Sequence, residues 1–240
     1  MDKTVPDFDL FAESYEKELN CALPPGAGEG AKYTRIKASH LKHQLTATFG
    51  RHARPALLDA GCGIGITDEF LKTFFPSLAG FDISAESIHL AKQRNPEVRY
   101  KTSDGKIFPF EDGEFDVVFA ICVLHHILPD HRDGFLREAW RVLRPGGLVF
   151  LYEHNPWNPM TRFVVSRCVY DRDALLLSPM ECRRLLRQNR FTPVAGGSLI
   201  FLPLEMRVWQ IWEKKWLSGI PCGAQYFQTG KKLGKEGVKI

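Results

Sequence analysis

Glycine at every second position in Leu57-Leu58-Asp59-Ala60-Gly61-Cys62-Gly63-Ile64-Gly65 constrains this chain more than any other stretch of it. The two leucines read as a short buried strand, the acid closes it, and the glycines permit a sharp strand-to-helix turn. Glycine tolerates positive φ and leaves room where a Cβ would collide with a ligand, while the free N–H groups of the following helix point at whatever lies against the turn. The segment therefore reads as the first β-α unit of an α/β fold that holds a small cofactor. A dinucleotide does not fit it. The Gly-x-Gly-x-x-Gly fingerprint requires a glycine where this chain has Ile66. A cofactor with an adenosine but no pyrophosphate agrees better with the turn.

Similar units follow. Apolar residues at helical spacing from Ile66 to Phe75 stop at Pro76 and predict a helix. Leu78 to Ile83 is a second short strand containing an acid near its end, and Ser84 is placed to cap a helix over Ala85 to Arg94, before Pro96. Val98 to Lys101 reads as an edge-like strand that runs into Ser103-Asp104-Gly105. Phe115 to Ile121, nearly continuous and β-branched, reads as a central strand covered on both faces. Asp133 to Leu143 is amphipathic, Arg144-Pro145-Gly146-Gly147 breaks it, and Leu148 to Tyr152 is a fifth strand. This alternation implies a parallel sheet with right-handed crossovers, helices on both sides, and ligands at the carboxyl ends of the strands.

The flanking regions are less regular. The first 50 residues read as helical, with a break at Pro24-Pro25-Gly26-Ala27-Gly28, and the chain is irregular after residue 155, around Pro156, Pro159 and Pro179. Glu181 to Asn189 then predicts a helix, Phe191 to Ala195 a strand, Glu205 to Leu217 an aromatic helix and Ala224 to Gln228 a last strand. We expect a single domain over residues 1–240: a helical N-terminal lid over 1–50, a cofactor-binding core over 51–155 and an acceptor-side segment over 156–240.

Bulk properties narrow the function classes. With 44% hydrophobic and 25% charged residues the chain is an ordinary globular protein. Its net charge of +4 comes from scattered Lys and Arg, with only a weak cluster at Lys231, Lys232, Lys235 and Lys239, so nucleic acid is not an expected partner. No apolar run approaches the roughly 18 residues of a membrane span, and the start Met1-Asp2-Lys3-Thr4 lacks a signal-peptide pattern. A cytoplasmic protein is expected. Six scattered cysteines with no Cys-x-x-Cys suggest neither a zinc knuckle nor a redox pair, and no metal site is expected.

Three acids stand at strand ends: Asp59, Asp82 and Asp104. Asp82 lies roughly 20 residues beyond Gly61, the separation at which nucleotide-binding folds place a carboxylate on a ribose. Two acceptor oxygens suit a vicinal diol. Asp82 also fits the ordinary role of a helix N-terminal acid. Ile83 offers an apolar face to a purine, and Asp104 could accept from its exocyclic amine.

With these residues the chain resembles the class I S-adenosylmethionine-dependent methyltransferases. The motifs that carry the likeness are the glycine turn at 57–65, Gly80-Phe81-Asp82-Ile83-Ser84, Ser103-Asp104-Gly105, Phe108-Pro109-Phe110-Glu111-Asp112-Gly113-Glu114-Phe115-Asp116, Leu124-His125-His126, and Glu138-Ala139-Trp140-Arg141-Val142-Leu143-Arg144-Pro145-Gly146-Gly147. The resemblance implies a Rossmann-like, seven-stranded, mostly parallel sheet whose last strand is antiparallel, for which Ala224 to Gln228 is the candidate. It implies S-adenosyl-L-methionine as cofactor, with the methionine part flanked by Gly61, Cys62 and Gly63 below Asp59. The ribose would sit on Asp82, the adenine between Ile83 and the Ser103-Asp104-Gly105 loop, and the sulfonium near Ala120 and Ile121. Tyr15 and Lys37 are expected cofactor contacts from the N-terminal lid, with Tyr33 nearer the acceptor.

A sulfonium methyl group is already electrophilic, so the protein need only hold an acceptor in line and exclude water; such positioning supplies about 7 to 11 kcal/mol in favourable systems. A hydroxyl acceptor benefits from a base, and histidine is the common choice. His125 and His126 follow the fourth strand, and His126 resembles the position that some small-molecule members use as a base; a structural role for either is the alternative. Glu153, His154 and Asn155, ahead of Pro156, read as an acceptor pocket or as a rigid turn. Together with Tyr170-Asp171-Arg172-Asp173-Ala174 and Pro221-Cys222-Gly223-Ala224-Gln225-Tyr226, they look like bacterial methyltransferases of polysaccharide or secondary-metabolite pathways. The expected function is methyl transfer to a small molecule in a biosynthetic pathway, at oxygen or nitrogen, by a monomer or homodimer. The alternatives are a non-catalytic cofactor-binding scaffold, or an RNA or protein methyltransferase, for which Ile121-Cys122-Val123-Leu124 lacks the Asn-Pro-Pro-Tyr type element.

Overall fold

The structure, a computed structural model, describes residues 8–24, 27–200 and 223–234. The alternating units build one seven-stranded sheet in the order β3-β2-β1-β4-β5-β7-β6. Its strands are β1 (Leu57–Ala60), β2 (Leu78–Asp82), β3 (Arg99–Thr102), β4 (Phe115–Ile121), β5 (Leu143–His154), β6 (Phe191–Leu199) and β7 (Gln225–Lys232). The first five are parallel to one another, whereas β7 runs antiparallel to both β5 and β6. This is the Rossmann-like sheet that the resemblance implied, down to the direction of the last strand.

Successive residues of a strand point to opposite faces, so each central strand feeds two cores. Leu58, Val118, Ala120, Val149 and Leu151 pack with Phe135 and Leu136 of α6 (Pro129–Val142) and with Cys182 and Leu186 of α8 (Pro179–Gln188). Leu57, Val117, Phe119 and Phe150 face the other way. They meet Leu41 and Leu45 of α3 (Gly30–Phe49), Leu71 of α4 (Ile66–Leu71), and Ile88 and Ala91 of α5 (Ala85–Arg94). Burial on both faces is why β4 reads as a nearly unbroken apolar run.

Local chemistry sets the element boundaries. Ser84 Oγ accepts from the Ser87 N–H at 2.9 Å, and α5 has the expected span. α8 starts two residues ahead of Glu181, because Ser178 and Glu181 form a reciprocal capping box around Pro179. Pro129 likewise starts α6 a turn earlier than Asp133. α4 ends at Leu71 instead of Phe75, where the Phe74 N–H bonds back three residues to Leu71 O and tightens the turn. Leu143 pairs with Phe115, so β5 begins before the Pro-Gly-Gly segment, with a register shift. β6 runs on to Leu199 because β7 pairs with it that far. A helix not anticipated, α7 (Pro159–Arg167), is capped by Asn158 Oδ1 accepting from the Thr161 N–H at 3.0 Å.

The N-terminal segment packs at the carboxyl ends of the strands. It comprises α1 (Phe8–Phe11), a 3₁₀ turn (Ala12–Ser14) and α2 (Tyr15–Ala22). Asp9 Oδ1 accepts from Ser84 Oγ at 2.6 Å and from the Glu86 N–H at 3.1 Å, and Arg94 pairs with Glu16 at 2.7 Å, which ties the segment to α5. The expected aromatic helix over 205–217, with Trp209, Trp212 and Trp216, lies outside the described residues, as do Cys222, Lys235 and Lys239. Among the described residues no helix is long and apolar enough to cross a membrane. Cys21, Cys62, Cys122, Cys168 and Cys182 are free thiols.

Candidate active site

The glycine turn is held from below. Gly65, with φ of 74°, precedes α4, and a Cβ there would lie 2.7 Å from Asn95 Nδ2 and 2.8 Å from Tyr100 Oη. Asn95 Nδ2 donates to Gly65 O at 2.9 Å, and Tyr100 Oη donates to Asp68 Oδ2 at 2.6 Å, anchoring the start of α4 to β3. Burial raises the Asp68 carboxyl to about 6, partly offset by the hydrogen bond from Tyr100. Asp59, at the end of β1, is raised well above the carboxylate range by burial and by Asp68 beside it. At Gly61, with φ of 87°, a Cβ would fall 2.6 Å from Val123 Cγ2, so the turn and the loop after β4 approach as closely as backbone allows.

Parallel pairing of β1 with β2 brings Asp82 beside the turn. Its Oδ2 accepts from the Gly63 N–H at 2.8 Å and its Oδ1 from the Ser84 N–H at 3.0 Å. Burial pushes this carboxyl up, and the amides of Ser84, Gly63 and Ile83 oppose the shift.

A cavity of about 920 Å³ opens above these strand ends. Of the expected cofactor contacts, Tyr15, Lys37, Asp59, Gly61, Cys62, Gly63, Asp82, Ile83, Asp104, Gly105 and Ile121 line it, as do Tyr33, His126 and His154. An adenosyl sulfonium with an amino-acid tail fits this lining. Asp59 Oδ1 is buried without a hydrogen-bond partner, in a residue that borders the cavity. Ile83 is 43% exposed beside Asp82, apolar surface of the kind a purine would cover.

The loop after β4 carries a second polar cluster. Glu153, fully buried at the end of β5, accepts from the Val123 and Leu124 N–H groups at 3.1 and 2.7 Å, and its Oε2 is 2.5 Å from His125 Nδ1. On its other side His125 Nε2 is 3.3 Å from Asp171 Oδ1. Burial alone would make His125 harder to protonate, but Glu153 and Asp171 prevail and raise its pKa to about 10. Asp171 is held well below the carboxylate range, its burial outweighed by His125, His154 and His126. His126, with Nε2 3.5 Å from Asp171, is lowered to about 3 by burial and by the charge on His125. Phe8 meets the His126 ring edge-on at 5.3 Å, so the N-terminal segment closes over it.

Five expected site residues do not line the cavity. Ala120 belongs to the opposite core, because strand alternation turns its Cβ away. Ser103 Oγ donates to Ile107 O at 2.7 Å and holds its loop rather than facing a ligand. His125 and Glu153 are buried against each other as described. Asn155 Nδ2 donates to Gly223 O at 2.7 Å and its Oδ1 accepts from the Trp157 N–H at 3.1 Å, the rigid-turn alternative for this segment.

Other residues were not singled out from sequence as site residues. Asp171 reaches the histidines because the Leu175 N–H donates to His125 O at 2.8 Å and Arg132 bridges Leu124 O, Ile127 O and Leu175 O, which straps residues 171–177 to the loop after β4. Cys122, in the left-handed region at φ of 60°, lies 3.4 Å from Lys37 Nζ. Burial raises its thiol, but Lys37 and His154 bring it down to about 7. The available signals were the acid in Tyr170-Asp171-Arg172 and a cysteine following a strand; neither announces its partners.

A model of the methyltransferase domain family matches residues 58–151. The chain is 31% identical over 154 residues to an uncharacterized methyltransferase of Synechocystis sp., covering 60% of this chain and 72% of that protein. It is 28% identical over 178 residues to the ubiquinone biosynthesis O-methyltransferase of Mesorhizobium japonicum, covering 70% and 71%. With the 27-O-demethylrifamycin SV methyltransferase of Amycolatopsis mediterranei it shares 32% identity over 152 residues, covering 60% and 55%. Among solved structures, its fold is similar to that of a SAM-dependent methyltransferase of Thermotoga maritima described as a possible histamine N-methyltransferase. The TM-score is 0.70 at 18% identity, covering 94% of this chain and 98% of that one.

Proposed function

The chain belongs to the class I S-adenosylmethionine-dependent methyltransferases, and we propose that it methylates a small-molecule acceptor at oxygen or nitrogen in a biosynthetic pathway. The observation that carries this reading is one cavity lined both by the carboxylates Asp59 and Asp82 and by His126. Bound S-adenosylmethionine supplies a methyl group activated by its sulfonium. Asp82 would take the ribose hydroxyls, Ile83 and Asp104 would bracket the adenine, and Asp59 would receive the amino group of the methionine part. Lys37 and Tyr15 close the cavity from the N-terminal side, which excludes water from the transfer and strengthens every charge interaction inside.

His126 is the group at the end of β4 that meets the acceptor. Its imidazole is neutral near pH 7 and can receive a hydrogen bond from an acceptor hydroxyl or amine, holding the nucleophilic atom in line. His125, with no exposed surface, acts behind it. The O-methyltransferases among the relatives favour oxygen, in agreement with a histidine at this place.

Calorimetric titration with S-adenosylhomocysteine, followed by an acceptor screen read by mass spectrometry, tests the reading. One bound equivalent and the gain of one methyl group by a small acceptor are expected; absence of binding would overturn the cofactor assignment.

A further inference from the structure

Three histidines surround Asp171, among them His126, whose Nε2 is 3.5 Å from Oδ1. Asp171 Oδ1 lies 3.3 Å from His125 Nε2, and its Oδ2 lies 3.8 Å from His154 Nε2. The ligand-capable atoms of His125, His154 and Asp171 all fall within 4.8 Å of one another. Two nitrogens and an oxygen bound at about 2.0 to 2.2 Å in a tetrahedron stand about 3.3 to 3.5 Å apart, so sharing one cation requires Asp171 and His154 to draw in by up to about 1.5 Å toward His125.

The outer contacts point the same way. His125 turns Nδ1 to the buried Glu153 carboxylate at 2.5 Å, which fixes the ring and leaves Nε2 as the atom facing Asp171. A carboxylate behind a histidine in this way is the usual support of a metal ligand, and a cation at Nε2 would displace the proton that His125 otherwise holds between the two carboxylates. At the second histidine, Gln225 is 8% exposed and its Oε1 has no partner, although its amide group lies 3.4 Å from His154 Nδ1. With the amide turned over, Oε1 would accept from Nδ1–H in exchange for the Gln225 Nε2 contact to Cys122 Sγ at 3.7 Å, leaving the His154 Nε2 lone pair free for a ligand role.

We propose that His125, His154 and Asp171 form a binding site for a divalent transition cation of the zinc type, with Glu153 and Gln225 as its outer supports. Three protein ligands leave a fourth position, as in catalytic rather than purely structural sites. Asp171 and His154 both line the cavity, so the fourth position would open toward it. The ligand class is therefore an acceptor oxygen, in a hydroxyl or phenol that a cation would hold and polarise. The inference rests on the reading of this cavity as the methyl-transfer site.

The test uses the full chain, freed of metal with a chelator and titrated with Zn²⁺ by calorimetry and with Co²⁺ by visible absorption. One equivalent is expected, with the d–d bands of a four-coordinate cobalt site. His154→Ala and Asp171→Asn should each lower the affinity at least a hundredfold, and Glu153→Gln should lower it about 10- to 100-fold, the range for outer-shell partners. Binding by the wild-type chain no tighter than by the His154→Ala/Asp171→Asn double variant overturns the proposal, whether or not the variants fold fully. S-adenosylhomocysteine titrated into the same samples separates the two conclusions: normal cofactor binding without cation binding rejects the metal site alone, and loss of both rejects the cavity assignment.

Discussion

The Gly63 N–H donates to Asp82 Oδ2 at 2.8 Å, so the glycine turn and the acid of the second strand form one unit before any ligand arrives. The turn is thus held in place by the same carboxylate that is assigned to the ribose.

Asp82→Ala removes the proposed diol acceptor and also leaves the Gly63 and Ser84 amides without theirs. A hydrogen bond to a charged group is worth about 1.5 to 3 kcal/mol, so cofactor affinity should fall by about 10- to 150-fold in calorimetry. Unchanged affinity would remove Asp82 from the site.

His126→Ala leaves the cofactor contacts in place. Turnover with a cognate acceptor should fall by about a hundredfold or more, the lower end of what a positioned proton-handling group contributes, while cofactor affinity stays within a factor of about three. A parallel loss of cofactor binding would assign His126 to the fold instead.

Gly65→Ala forces a Cβ into the left-handed region, 2.7 Å from Asn95 Nδ2 and 2.8 Å from Tyr100 Oη. The conformational cost and the overpacking together amount to about 2 to 4 kcal/mol, read as a lower denaturant midpoint with an unchanged m-value. An unaltered midpoint would show that the network under the turn can yield.

Asp68 gives a stability signature with pH. Its folded pKa, raised to about 6, exceeds its unfolded value, so the folded state binds the proton more tightly. The stability linked to that proton is fully present below about pH 4 and is lost as pH rises through about 6. Asp68→Asn keeps an acceptor for Tyr100 and removes the titration. In the ligand-free protein the variant should gain stability relative to wild type at pH 7.5 compared with pH 4, and equal differences at the two pH values would refute the assignment.

The fold was legible because its signals are local. Gly61 and Gly65 announce a turn, Ser84 announces a helix start, and the unbroken apolar run of β4 announces a strand buried on both faces. Boundaries failed where a partner decides them. β6 extends to Leu199 only because β7 lies beside it, and α6 gains a turn because Pro129 accepts the first helical position.

The site divides in the same way. Sequence alone determined the glycine turn and the carboxylate spaced from it at Asp82, since these depend on residue type and on spacing within one β-α-β unit. Only the tertiary structure decided that Asp171 stands between His125 and His154, that Glu153 supports a histidine instead of facing the cavity, and that Lys37 meets Cys122. Those contacts join residues on different strands, helices and loops, separated by as many as 85 positions, and no local periodicity records which ends the sheet order brings together.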